Sequence, residues 1–539
     1  MSIFAFVPRL DDEKDPKILR QAISLMERHN ETLTKRVVVL EQELAEAKGM
    51  TPEQLQRRLA LLEQQLAQMK KKVFGASSER SAYETKGRAK SEEPKPRTGH
   101  GPTEQPELLT VPVDHDLDDA DKTCPQCGGG LEEMAGQFEE HDEVDVIPAR
   151  FVIKRHRRKK YRCRCGACIE TALGPDKLVP GGRYSIGFAI HVAISKYSDH
   201  LPLERQVRMM GREGLSVTSQ TLWDQLEALE RVVGRVRPRL LAHIIGHAVV
   251  GADETRWRML KASANKTWYV WLLHVSTGVY YTIENSRSMA VIDKLLGSFT
   301  GTLMCDAYAS YVALAKKRQG AVVLSHCWAH VRRRFLEAEP FFRGPCEEIL
   351  ALIKELFVLD AACPTGPPGD DARRTIRDES SRRVVEDMVA WFWKTAPFVM
   401  PESALHTAIG YMIGAWKGLV QFLDDPTVPL DNNGSERAAR GVVLGRKNHY
   451  GSKSLRGTEV AATFYSLVES AKLNELEPRF YLRVAVHAGL RGEEIPLPHE
   501  VATALADGSL ARDAFDEGTE QLVATALAVA NQATDPSSI

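Results

Sequence analysis

Asp253, Asp306 and Glu436 are the residues whose types and surroundings best suit joint chemistry. Asp253 ends the apolar run "HAVVGAD" and Asp306 ends "GTLMCD", so each is predicted to close a strand of one sheet. Two carboxylates side by side repel, and burial worsens the repulsion, so the pair requires a shared proton or a cation. Hard oxygens with no neighbouring imidazole or thiolate suit Mg²⁺. Glu436 lies in "PLDNNGSERAARG" (429–441), where Asn432, Asn433, Gly434 and Ser435 read as a loop closing on a helix start. Alone it is an ordinary first-turn acid that favours the positive end of the helix dipole. On a helix crossing the sheet it would supply the third carboxylate of a two-metal clamp. Such a clamp suits phosphodiester exchange with no protein nucleophile, the attacking hydroxyl and the leaving oxygen each facing one Mg²⁺ ion. For either aspartate by itself a strand-end cap or surface acid is the competing reading.

A second chemistry is written in cysteines. Cys124, Cys127, Cys163, Cys165 and Cys168 fall within 45 residues, and such clustering in a reducing compartment points to metal rather than disulfides. "CPQCGGGL", two alternating stretches and "RCGAC" make a zinc-ribbon pattern, a closed structural Zn²⁺ site of four thiolates. Cys165 and Cys168 have the better spacing for the second pair, with Cys163 the alternate; a reduced thiol cluster is the other reading. Cys305, Cys327, Cys346 and Cys363 read as buried thiols. In "SHCWAHVRRRF" (325–335) His326 and His330 are four apart, but the metalloprotease glutamate is absent. His330, Arg332 and Arg333 are expected to position phosphate, with Trp328 packing.

These residues need scaffolding. Residues 17–75 carry a heptad seam of Leu19, Ile23, Met26, Asn30, Leu33, Val37, Leu40 and Leu44, resumed from Leu55 to Val73 after a break at "GMTPEQ". This predicts a coiled-coil dimer whose register Asn30 sets. Residues 76–107, rich in Ser, Lys, Glu, Pro and Gly, form a disordered linker. The finger spans 108–180 and carries a basic run, with Arg155, Arg157, Arg158, Lys159 and Lys160 as nucleic-acid contacts. Residues 181–240 are helical, and "MMGREGLSVTSQTLWDQL" resembles a helix-turn-helix whose Gln220 and Thr221 would face a groove, the competing reading being a bundle connector. From 245 to 334, three antiparallel strands, helix, strand, helix and strand give the order of an RNase H-like sheet. A helical insertion (335–425) interrupts this core, which resumes over 426–480 with Glu436. A C-terminal tail (481–539) follows. The fold class is therefore multidomain α+β.

Bulk composition excludes little but frames the rest. At 539 residues the chain has room for about three or four domains. With 43% hydrophobic residues, 27% charged residues and a net charge of −1, it reads as globular, its basic character local rather than global. No run of about 18 apolar residues occurs, so no membrane span is expected. The start "MSIFAFVPRLDDEKD" lacks the pattern of a signal peptide, which points to the cytoplasm.

Over most of its length the sequence resembles the insertion-sequence-66 family of transposases, TnpC type. The resemblance is carried by "VFGASSER", "CPQCGG", "LVPGGRYSIGFAIHVAISKYSDHLPLERQ", "CDAYASY", "SHCWAHVRRRF", "DNNGSERAAR", "LGRKNHYGS" and "SAKLNELEPRFYL". It implies a DDE transposase with an RNase H-like core, a triad of Asp253, Asp306 and Glu436, and Mg²⁺-dependent strand cleavage and transfer. Arg437, Arg440, Arg446 and Lys447 would then face substrate phosphate. The implied partners are double-stranded DNA (element ends and target), a second copy of the chain, and the accessory proteins TnpA and TnpB, in a bacterial cytoplasm at the nucleoid. The irregular "CRCGAC" leaves the second zinc pair open. The alternatives are an RNase H-like nuclease that hydrolyses without joining, and a zinc-containing DNA-binding regulator with an inactive core.

Overall fold

The structure, a computed structural model, describes residues 122, 124, 126, 128–131, 151–164, 167–260, 267–364, 366 and 369–511. The heptad segment 17–75, the linker 76–107, Cys127, Cys165 and the chain beyond 511 lie outside the described residues. Two compact units are separated, with residues 67–149 forming the smaller. Of that unit only the first cysteine knuckle is described. There the Gly128 N–H donates to the Cys124 carbonyl (2.9 Å), and the Cys124 N–H donates to Gly129 (2.8 Å). Gly128 takes the left-handed φ of 74° that closes this turn.

In the larger unit, β1 (Lys160–Arg162) and β2 (Ile169–Thr171) pair as a short antiparallel hairpin. Three helices follow. α1 (Ile186–Tyr197) is capped by Ser185, whose hydroxyl accepts from the Phe188 N–H (3.1 Å). α2 (Leu203–Arg212) begins after Pro202, and α3 (Ser219–Val233) is capped by Thr218. Next, α4 (Arg237–Ile245) leads into a five-stranded sheet. Its strands are β3 (Val249–Arg258), β4 (Thr267–Val275), β5 (Gly278–Glu284), β6 (Gly301–Cys305) and β7 (Val322–His326). α5 (Met289–Leu296) joins β5 to β6, and α6 (Ala309–Lys317) joins β6 to β7.

The spatial order is β5-β4-β3-β6-β7, with β3, β4 and β5 antiparallel and β6 and β7 parallel to β3. Val270, Trp271, Leu272 and Leu273 of β4 are all buried, the pattern of a strand covered on both faces.

Helices then form a second core. α7 (Trp328–Ala338), α8 (Arg343–Ala361), α10 (Arg382–Thr395) and α11 (Ala404–Leu419) bury Trp328, Phe335, Ile353, Met388, Trp391 and Met412 together, with the short α9 (Asp370–Ile376) between α8 and α10. α12 (Asn433–His449) returns to the sheet, and α13 (Leu455–Leu473) covers β5. Ser466 and Ser470, one helical turn apart on α13, accept the Tyr281 and Val279 N–H groups of β5 (2.9 Å each). Edge-strand donors are thus satisfied by a helix instead of a sixth strand. α14 (Pro478–Leu490) and α15 (Pro498–Ala506) complete the unit.

Three expectations change. β3 does not end at Asp253: it continues to Arg258, because Glu254–Arg258 pair residue by residue with β4 and Trp257 is buried. Residues 181–240 are not a separate body, since Ile190, Leu226, Leu229 and Leu240 share one core with the sheet. The tail assigned from 481 is structured to 506: Tyr481, Leu482, Ala485, Val486 and Val501 are buried, and Arg239 holds Glu500 at 2.7 Å.

Candidate active site

Register explains how the two aspartates approach. β3 pairs with β6 only from Val249 to Gly251, where Gly251 stands opposite Met304. Two residues further along each strand come Asp253 and Asp306. Asp306 directly follows β6, and its Oδ1 accepts the Tyr308 N–H (3.1 Å) in a tight turn. Asp253 Oδ1 accepts the Glu254 N–H (2.8 Å). Because β6 has ended, the sheet is open beside Asp253 on that side.

Glu436 arrives by α12, and the loop before it is pinned from two sides. Asn432, only 5% exposed, donates its Nδ2 to the Ala252 carbonyl (2.8 Å), one residue before Asp253. Its backbone N–H donates to Cys327 Sγ (3.2 Å), and the Trp328 N–H donates to the Leu430 carbonyl (3.0 Å). Two glycines permit this closeness. A Cβ on Gly251 would stand 2.5 Å from Ser435 Oγ, and one on Gly434 would overlap the His274 ring. The Glu436 carboxylate lies 3.6 Å from His330 Nε2 and 3.7 Å from Arg333 Nη2.

The electrostatics reflect crowding of acids. Burial is the main cause that pushes Asp253 up to about 7; the charge of Glu254 adds to it, as do those of Asp306 and Glu436, against the Glu254 N–H. Glu254, its side chain 1% exposed, accepts from the Tyr311 hydroxyl (2.6 Å) and from Arg287 Nε (2.9 Å). Burial nevertheless raises its pKa. Glu436 Oε1 is buried and has no hydrogen-bond partner. Burial and neighbouring acids thus disfavour the ionised form of Asp253 unless a proton or a cation offsets its charge.

The remaining expected residues divide clearly. Arg332 and Arg333 are exposed on α7, and Arg437, Arg440 and Lys447 are exposed on α12. After burial, the Arg437 charge is what holds the His274 imidazole down to about 4. Arg446 does not face outward as expected. Its guanidinium donates to Thr255 Oγ1 (3.2 Å) and to the Arg256 carbonyl, bracing α12 against β3. Gln220 is exposed on α3 but bonded to Asp224 (2.8 Å), while Thr221 is half-buried, its backbone N–H donating to the Thr218 cap.

His326 and His330 share no helix face. His326 ends β7 with Nδ1 3.4 Å from the Cys305 carbonyl, and His330 belongs to α7. Arg155, Arg157, Arg158, Lys159 and Lys160 are exposed ahead of and on β1, with Arg158 Nε donating to the Ala172 carbonyl (2.5 Å). Cys163 and Cys168 close that hairpin, the Cys163 N–H donating to the Cys168 carbonyl (3.0 Å). Sequence reasoning missed Asn432, Glu254 and Arg287. The asparagine doublet was a visible signal, but it was read only as a loop.

These residues lie in a mixed α+β fold with an acidic centre on the middle strand of its larger sheet. The profile described as "Transposase IS66 family" matches residues 181–460, which include Asp253, Asp306 and Glu436. The profile described as "zinc-finger binding domain of transposase IS66" matches 121–166, which takes in Cys124, Cys127, Cys163 and Cys165 but stops before Cys168. The chain belongs to the IS66 family of transposases. It is similar to three proteins of Sinorhizobium fredii (strain NBRC 101917 / NGR234). Uncharacterized protein y4jD is 31% identical over 67% of this chain and 73% of its own length. Uncharacterized protein y4hP is 26% identical over 70% of this chain and 73% of its own length. Uncharacterized protein y4qI is 29% identical over 66% of this chain and 68% of its own length. Among the described residues no helix is long and apolar enough to cross a membrane.

Proposed function

We propose that this chain cuts and joins DNA at the ends of a mobile element, with Asp253, Asp306 and Glu436 as carboxylate ligands of two Mg²⁺ ions on an RNase H-like core. The observation that carries the reading is geometric: Asp253 and Asp306 lie two residues beyond the paired Gly251 and Met304, and Asn432 ties the Glu436 loop to Ala252 beside Asp253. Mg²⁺ held there would supply Lewis acidity to the attacking and leaving oxygens of phosphodiester exchange. The protein's own groups do the positioning. Asn432 holds the Glu436 loop to β3, the Tyr308 N–H orients Asp306, and the Glu254 N–H orients Asp253. His330 and Arg333 flank Glu436, and exposed Arg332, Arg437 and Arg440 offer charge to the DNA backbone, adding affinity without sequence information.

Sequence choice would come from Gln220 and Thr221 of the helical region and from the basic hairpin. In this reading a structural Zn²⁺ is held by Cys124 and Cys127 with two of Cys163, Cys165 and Cys168. An all-thiol donor set suits a closed structural zinc site. Self-association through 17–75 and cooperation with TnpA and TnpB belong to the same proposal.

Purified protein with Mg²⁺, cleaved-end oligonucleotides and a target plasmid provides the test. The wild type is expected to yield joined product, and Glu436→Gln to lose more than about 100-fold, beyond the ~10–100-fold typical of outer-shell partners. Hydrolysis without joining would make the protein a nuclease. Unimpaired transfer by Glu436→Gln would remove the glutamate from the centre.

A further inference from the structure

Cys327, His330 and Glu436 bring a thiol, an imidazole and a carboxylate together, their donor atoms all within 4.8 Å of one another. We infer that these three residues form a binding site for a thiophilic divalent cation, Zn²⁺ foremost, which shares Glu436 with the proposed catalytic centre. Two ligands about 2.1 Å from a tetrahedral ion stand ~3.4 Å apart. His330 Nε2 and Glu436 Oε1 are separated by 3.6 Å, already close to that spacing.

Two of the donors are prepared for a metal. Cys327 is the N-cap residue of α7, and its sulfur accepts the Asn432 N–H (3.2 Å). A helix N-terminus and amide donors both favour a thiolate. A thiol that binds metal does so as thiolate, so binding here would release a proton to solvent. Glu436 Oε1 is a buried polar atom with no hydrogen-bond partner. The sulfur sets the selectivity, because soft thiolate favours Zn²⁺ and is a poor ligand for Mg²⁺. Three protein ligands leave a fourth position open, unlike the closed site expected of the finger.

The site itself stands on this geometry alone, but its consequence rests on the function proposed above. A Zn²⁺ ion that occupies the Glu436 carboxylate withdraws it from Asp253 and Asp306, so Zn²⁺ would act as an inhibitor rather than a cofactor. The site would thus make strand transfer respond to free zinc.

The test counts metal on the full chain, isolated with its finger zinc in place. After equilibrium dialysis against Zn²⁺, the wild type is expected to hold one ion per chain more than Cys327→Ser or His330→Asn. With Co²⁺ as probe, the added equivalent should bring a thiolate charge-transfer band that both variants lose. Equal ion counts and unchanged bands would overturn the proposal. Cys327 is buried, so if its variant does not fold, the His330→Asn count decides by itself. A chain that binds the added ion, yet joins no DNA with Mg²⁺ even before that ion is supplied, would sink the catalytic reading and leave this site standing. Strand transfer without the added ion would do the reverse.

Discussion

Replacing Asp253 with asparagine should make the protein more stable while disabling it. The carboxyl is raised from an ordinary value near 3.9 to about 7, about three units, which is on the order of 4 kcal/mol at 1.36 kcal/mol per unit. The native protein therefore keeps a proton that the unfolded chain gives up near pH 4. This contribution to stability is fully present below about pH 4 and is lost as pH rises through about 7. Asp253→Asn removes the charge yet keeps an oxygen for the Glu254 N–H, 2.8 Å away. Solvent at the open edge beside β6 screens part of the effect. At pH 8, with Mg²⁺ omitted and the finger zinc retained, the variant should exceed the wild type by about 2–4 kcal/mol, and near pH 4 the two should converge. Urea unfolding at the two pH values measures the difference, and pH effects common to both proteins cancel. Adding Mg²⁺ at pH 8 should then stabilise the wild type selectively, by about 2.7 kcal/mol at a hundred times its dissociation constant. A gap that stays flat with pH, or equal stabilisation of both proteins by Mg²⁺, would refute the argument that a buried acid here needs a cation.

Four further outcomes follow from the residues around the site. Asn432→Ala strips the buried bond to the Ala252 carbonyl, so thermal unfolding should register a loss of about 1–3 kcal/mol and DNA cleavage a ~10–100-fold drop. Gly251→Ala places a methyl 2.5 Å from Ser435 Oγ and should cost about 1–3 kcal/mol. Ser435 Oγ has no hydrogen-bond partner, so adding Ser435→Gly should recover most of that loss in a double-mutant cycle of denaturant midpoints. Arg333→Ala should reduce the slope of log affinity against log salt by ~1 in a band-shift assay. Arg446→Ala should instead lower stability, because that side chain is bonded to β3.

Several parts of the site were legible because their signals are local. A C-x2-C knuckle and short apolar runs that form strands each sit within a few residues, where backbone propensity and side-chain chemistry act directly. The same was true of the element order around the sheet. What the residues alone could not supply was pairing. Asp253 looked like a strand end because charged residues follow it, and only the partner strand β4 carries β3 on to Arg258. Arg446 looked free for phosphate until packing set it against the Arg256 carbonyl. Asn432 reaches across 180 residues of chain to Ala252, and its N–H across 105 to Cys327. Residue types and short spacings decided which groups this protein could use for chemistry. Tertiary structure decided which of them meet, because register, close approach at glycine and burial are properties of chains packed together.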